Sequence, residues 1–262
     1  MPGFELSKWY ADCVSEQGDA VVVYHAELRW HAVTIHYSTL LTKSVGCAVR
    51  TVYSLRERPA PQLQVDEIRW ESKEWEAAGS WRELGRGSDA RSSNRIQVVS
   101  NGIAWRLAQL RIFQIGQMPA IRGWGYAEHL QLSLAPWRLP IRRLRWGRFV
   151  NSTDALVWID WSGSYNKQVA YLNGSEFCAA EISESSVVLK EIGAELDLDK
   201  GNVLREGALG STALSVIPKL NRLFPDSILN VRECKWLSKA VLRRPGQPDS
   251  EGMAIHEVVE WP

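Results

Sequence analysis

Glu128 is the residue of this chain with the most chemistry to offer. It lies in residues 123–149 (GWGYAEHLQLSLAPWRLPIRRLRWGRF), which read as two strands joined by a Pro-bounded turn. In extended geometry Tyr126, Glu128, Leu130, Leu132 and Leu134 share one side, while Ala127, His129, Gln131 and Ser133 share the other. A carboxylate on an apolar face is costly unless it is paired, hydrogen-bonded or protonated. A carboxyl group that keeps its proton in an apolar pocket can deliver it to an alkene carbon, the step that hydration of an isolated double bond or cyclisation of a polyene requires. Tyr126 on the same face, with neighbouring indoles, can stabilise the resulting cation through its ring face. Pairing of Glu128 with one of Arg142, Arg143, Arg145 or Arg148 across a sheet is the structural alternative.

Two further acids pass or approach the same test. In residues 253–261, Met253, Ile255, Glu257, Val259 and Trp261 share a face, with His256 on the other. Two acids on apolar faces of different strands can work as an acid–base pair where the strands converge. Asp160 shares a face with Leu156 and Trp158 and is the third candidate, against a role as a strand-end turn acid. Tyr126, Trp124, Trp146, Trp158 and His129 are the expected substrate-binding side chains. On a regular strand His129 points away from Glu128, and only a bulge would reverse that. Glu206 and Glu233 sit beside Arg205, Arg232 and Lys235 and read as salt-bridged. His25, His31 and His36 make no HxH or HxxxH pair, so no metal site is expected.

Other chemistries lack their motifs. No GxGxxG, no GxxxxGK[ST] and no GxSxG occurs, so nucleotide-dependent and Ser-hydrolase chemistry have no anchor, and no cofactor is expected. The formal net charge of +1 gives no global attraction to nucleic acid or an anionic membrane. Cys13, Cys47, Cys178 and Cys234 form no CxxC pair and read as free, buried thiols of a reducing cytoplasm. The N-terminal residues lack a secretory pattern, and no apolar run reaches the ~20 residues of a membrane span. The partner implied is a hydrophobic small molecule, with the oligomeric state open.

The elements that must position these residues are short strands. Ala20–Trp30 places Val22, Tyr24, Ala26, Leu28 and Trp30 on one side with His25, Glu27 and Arg29 on the other, and residues 34–41, 46–53, 64–70, 96–99 and 102–115 continue in the same manner. Residues 85–94 (GRGSDARSSN) read as a hairpin loop, and residues 116–119 (GQMP) as a joint between two halves. Strands resume from residue 124 to 161, then at 167–172, 176–182, 187–189, 195–198, 231–243 and 253–261. Residues 211–223 break the pattern as one short helix, capped by Ser211 or Thr212 and limited by Pro218. About fifteen strands and thirteen tryptophans in 262 residues predict an all-β chain. The division expected is two antiparallel β-barrels, residues 1–118 and 119–262, although the halves are too dissimilar to establish an internal repeat.

The central segment resembles the lipocalin-like superfamily of carotenoid 1,2-hydratase (hydroxyneurosporene synthase) and AttH-type proteins. That group leads from a Gly-Tyr pair into a His-Asp-His-Asn-like strand and then a Trp-Gly pair. The matching residues are Gly125, Tyr126, Ala127, Glu128 and His129, followed by Trp146, Gly147 and Arg148. The stretches 9–13, 158–161 and 255–261 are similar to the group as well. Ala127 replaces the first His, Glu128 the Asp and Leu130 the Asn, so an acid and one His are kept. The resemblance implies two tandem lipocalin-like barrels and an enzyme of the hydratase or cyclase type acting on an isoprenoid or polyene. A non-catalytic lipocalin-like carrier of a lipid or pigment is the alternative.

Overall fold

The computed structural model describes residues 3–64, 67–82, 95–100, 103–116, 121–217 and 219–262. The 85–94 loop and residues 117–119 of the joint lie outside the described residues. The chain divides into two compact units, Met1–Ala135 and Pro136–Pro262.

The first unit is one antiparallel sheet of ten strands. They are β1 (Phe4–Val14), β2 (Ala20–Trp30), β3 (Val33–Lys43), β4 (Arg50–Ser54), β5 (Gln62–Leu63), β6 (Glu67–Ser72), β7 (Ala77–Arg82), β8 (Arg95–Ser100), β9 (Ile103–Gly116) and β10 (Arg122–Leu132). The order is β4-β3-β2-β1-β10-β9-β7-β6-β5, with β8 beside β9. Ala11, Cys13, Val21, Val23 and Ala127 pack against Ile68, Trp70, Ala77 and Trp81 in one core. Those residues come from opposite arms of the sheet, so it curls into a nearly closed barrel with Ala11 and Ala127 on its inner face.

The second unit contains β11 (Ile141–Val150), β12 (Ala155–Gly163), β13 (Lys167–Leu172), β14 (Ser175–Phe177), β15 (Ala180–Ile182), β16 (Ser186–Leu189), β17 (Ala194–Leu198), β18 (Asn202–Ala208), β19 (Arg232–Arg243) and β20 (Ser250–Glu260). Its order is β14-β13-β12-β11-β20-β19-β17-β16-β15, with β18 beside β19. Adding ten to every strand number of the first sheet generates the second. The repeat faint in sequence is therefore complete in topology. Its core joins Phe149, Leu156 and Trp158 to Val187, Leu189, Leu196 and Leu242.

The all-β class, the tandem barrels and helical structure in the C-terminal half stand. Three details differ. The division falls after β10 and not after residue 118, because β10 pairs with β1 and β9 of the first sheet. Residues 123–149 are consequently not a hairpin: β10 and β11 belong to different sheets. The expected helix at 211–223 is a series of turns ending in α1 (Leu220–Leu223), with α2 (Asp226–Leu229) after it. The Thr212 and Ser215 hydroxyls bond the carbonyls of Ala208 and Thr212, local bonds that compete with a regular helix. Among the described residues no helix is long and apolar enough to cross a membrane.

Candidate functional site

Two Tyr-Ala-acid tripeptides face each other in the first unit. Tyr10, Ala11 and Asp12 lie on β1, and Tyr126, Ala127 and Glu128 on β10. The antiparallel register sets Ala11 opposite Ala127, Tyr10 opposite Glu128 and Asp12 opposite Tyr126. Strand alternation sends both alanines into the barrel core and all four functional side chains to the other face. The Tyr10 hydroxyl donates to Asp12 Oδ2 at 2.7 Å, and the Tyr126 hydroxyl donates to Glu128 Oε2 at 2.7 Å. Asp12 is fully buried and Glu128 8% exposed. Two phenols and two carboxyls thus form a compact buried square, with each acid held by the tyrosine two residues before it.

Neighbouring strands extend this face. Tyr24 on β2 is opposite Tyr10, and their rings meet edge-on at 5.1 Å. The Lys8 ammonium lies 5.0 Å from the Tyr24 ring. Trp124 is half-buried and shares the Tyr126 face, opposite Val14. Behind the square, the Trp81 indole donates to the Asp12 carbonyl at 2.9 Å. It occupies the space that a side chain at Gly125 would need, since a Cβ there would lie 2.9 Å from both Trp81 Cδ1 and Asp12 O. The glycine before Tyr126 thereby lets an indole brace the strand that carries Asp12.

Glu128 and His129 do point to opposite faces, but the inner face of the barrel is His129's. The His129 ring stacks on Trp9 at 4.4 Å, and its Nε2 bonds the Ser7 hydroxyl at 2.8 Å. Trp9 is also opposite His25, whose Nδ1 bonds Ser38 at 3.1 Å. Alternation separates two faces without telling which becomes concave, and here both are buried. The bulge in the β9–β10 pairing lies at Gly123 and Gly125, before Glu128, and leaves the assignment unchanged.

The other two candidate acids lie in the second unit on opposite faces of its sheet. On β11, Arg145 is opposite Asp160, and the next residue, Trp146, is opposite Glu257. Arg145 Nη1 bonds Asp160 Oδ2 at 2.6 Å. Glu257 is ion-paired to the buried Lys235, whose ammonium lies 5.2 Å from the Trp146 ring. Trp158 is packed in the core above Gly147. His256, on the core side, stacks on Trp236 and bonds Ser238 at 2.9 Å. Burial, helped by the Lys200 and Lys235 ammonium groups, pushes its pKa down to about 4.

The expected Glu233 ion pair is made with Arg205 at 3.6 Å. Cys13, Cys47, Cys178 and Cys234 are all free, but Cys47 and Cys178 are exposed, against the expectation of burial. Both lie outside the regular strands, where no core face is available to cover them. Asp12, Tyr10 and Tyr24 are the site residues that sequence reading missed. The doubled Tyr-Ala-acid tripeptide is the signal that points to the first two.

No family model and no curated protein matches the sequence. Solved structures do match across nearly the whole chain. CghA, in its crystal structure with Sch210972, superposes with a TM-score of 0.63 at 10% identity, covering 99% of this chain and 89% of CghA. An AttH-like protein from Nitrosomonas europaea gives 0.56 at 10% identity, covering 97% and 92%. Kievitone hydratase from Nectria haematococca gives 0.52 at 8% identity, covering 98% and 89%. This chain therefore shares the lipocalin-like tandem-barrel fold of these proteins.

Proposed function

We propose that this chain is a cofactor-independent enzyme that binds a hydrophobic isoprenoid or polyene and catalyses its acid-assisted hydration or cyclisation. The observation that carries the reading is the buried square of Tyr10, Asp12, Tyr126 and Glu128 on paired strands. The occurrence of the same fold in a protein named kievitone hydratase supports the reaction class.

In this mechanism Glu128 starts as the carboxylic acid. The alkene π pair forms a C–H bond with its proton, leaving a cation on the adjacent carbon and a carboxylate on Glu128. The ring faces of Tyr10 and Tyr126 stabilise that cation. In hydration a water lone pair forms the C–O bond, and the surplus water proton passes to the Asp12 carboxylate. In cyclisation a second double bond attacks the cation, and Asp12 takes the proton from the carbon next to the new cation. Return of the proton from Asp12 to Glu128 completes a cycle with no change of oxidation state, which is why no redox cofactor is required.

Glu128→Gln keeps the shape and removes the transferable proton. Incubation of the purified protein with candidate polyenes, followed by mass spectrometry of organic extracts, should show turnover reduced by about 10²-fold or more in the variant. Turnover at the wild-type rate would remove Glu128 as the donor.

A further inference from the structure

The acid square is the inner end of a longer row. Successive cross-strand partners on the same face run Tyr53 (β4), Thr39 (β3), Tyr24 (β2), Tyr10 (β1) and Glu128 (β10). The row is half-buried at Tyr53, whose ring lies 6.3 Å from that of Tyr37, and buried from Thr39 inward. Every member but Thr39 offers an aromatic ring or the acid. Thr39 is fully buried, and its Oγ1 has no hydrogen-bond partner among the described residues.

A buried hydroxyl without a partner destabilises the protein that carries it, and valine would fill the same volume without that penalty. A threonine kept there is explained by a partner that arrives with a ligand. Three strand spacings of about 4.8 Å separate Thr39 from Glu128, so the hydroxyl stands about 14 Å along the row from the acid.

We infer that Thr39 is a specificity residue that hydrogen-bonds an oxygen substituent at the far end of an elongated polyene, and that the substrate is therefore an oxygenated chain rather than a pure hydrocarbon. This rests on the reading of the Glu128 face as the substrate face. Tyr24 and Tyr10 lie between the anchor and the acid, and their rings would flank the unsaturated carbons.

The test compares binding of farnesol and of farnesene, an alcohol and a hydrocarbon of matching chain, to the full-length protein by tryptophan fluorescence. The wild type should prefer the alcohol by about 5- to 10-fold, the value of one net hydrogen bond. Thr39→Val should abolish that preference and leave farnesene binding unchanged. The same variant should melt higher, by about 2–4 °C. A wild type without the preference, or a variant that keeps it, overturns the assignment. A lowered melting temperature also overturns it, because the hydroxyl would then be serving the fold. Glu128→Gln separates this from the catalytic reading: it should leave the alcohol preference intact whether or not it abolishes turnover. Loss of the preference in Thr39→Val together with full turnover in Glu128→Gln would keep the anchor and remove the acid.

Discussion

At the residue scale, the acid square asks each carboxyl to do a different thing. Glu128 must present a proton and Asp12 must accept one, although both receive a similar bond from a tyrosine two residues earlier. Their surroundings differ in that Asp12 is fully buried and its strand is braced by the Trp81 indole, while Glu128 keeps slight exposure, and the division of roles is what substitution at each acid tests. Asp12→Asn retains an acceptor for the Tyr10 hydroxyl and removes the charge that would receive the proton. Turnover should fall by about 10²- to 10⁴-fold, the usual worth of a positioned base, with affinity for farnesol changed by less than about threefold. Steady-state kinetics beside a fluorescence titration reads both. Equal loss of binding and turnover would make Asp12 a structural acid.

At the element scale, each barrel uses a glycine to admit a tryptophan. In the second unit a Cβ on Gly147 would lie 2.2 Å from the Trp158 ring and 2.7 Å from the His256 Cβ. Both neighbours are almost fully buried and cannot swing aside. Gly147→Ala should therefore destabilise the protein by about 1–3 kcal/mol through overpacking, measured by urea unfolding. An unchanged midpoint would mean that β11 and β12 separate more easily than this packing implies. Strands of this kind were legible where a period-two segment stood between turn residues, as in Ala20–Trp30, which is β2 from end to end. The placement of β10 was not, because its membership of the first sheet depends on pairing with β1, more than a hundred residues away in sequence. The choice of inner face was hidden for a related reason. Ala127 and Glu128 are both buried, so hydrophobic pattern alone could not say which side curls inward. The acid itself was visible as a carboxylate among leucines. Its partner Asp12 was not, because only the pairing of β1 with β10, across more than a hundred residues of sequence, brings it opposite Tyr126.

At the scale of the whole molecule, stability on the acid side follows from groups placed in both barrels. His256 has a folded-state pKa of about 4, set first by burial and then by the Lys200 and Lys235 charges, against an ordinary value of 6.5. Between those values the unfolded chain binds a proton that the folded chain refuses. Stability is therefore greatest above pH 6.5 and declines by about 3 kcal/mol as the pH falls to about 4. His25 in the first unit is lowered in the same direction, chiefly by burial and then by His36, so it adds to the slope. A second loss begins lower. Burial would raise the Asp154 carboxyl, but hydrogen bonds from Ser250, Asn173 and Thr153 and the Arg244 guanidinium outweigh it and hold its pKa below 3.8. Its contribution is present above that value and disappears as the pH falls through the folded-state pKa. Urea unfolding between pH 8 and pH 4 should show the first decline in the wild type. His256→Gln should lower stability at pH 8, through the lost stacking on Trp236, and flatten most of the slope between 6.5 and 4. A slope unchanged in that variant would assign the titration to another group and reject a neutral, buried imidazole as the acid-sensitive element of the fold.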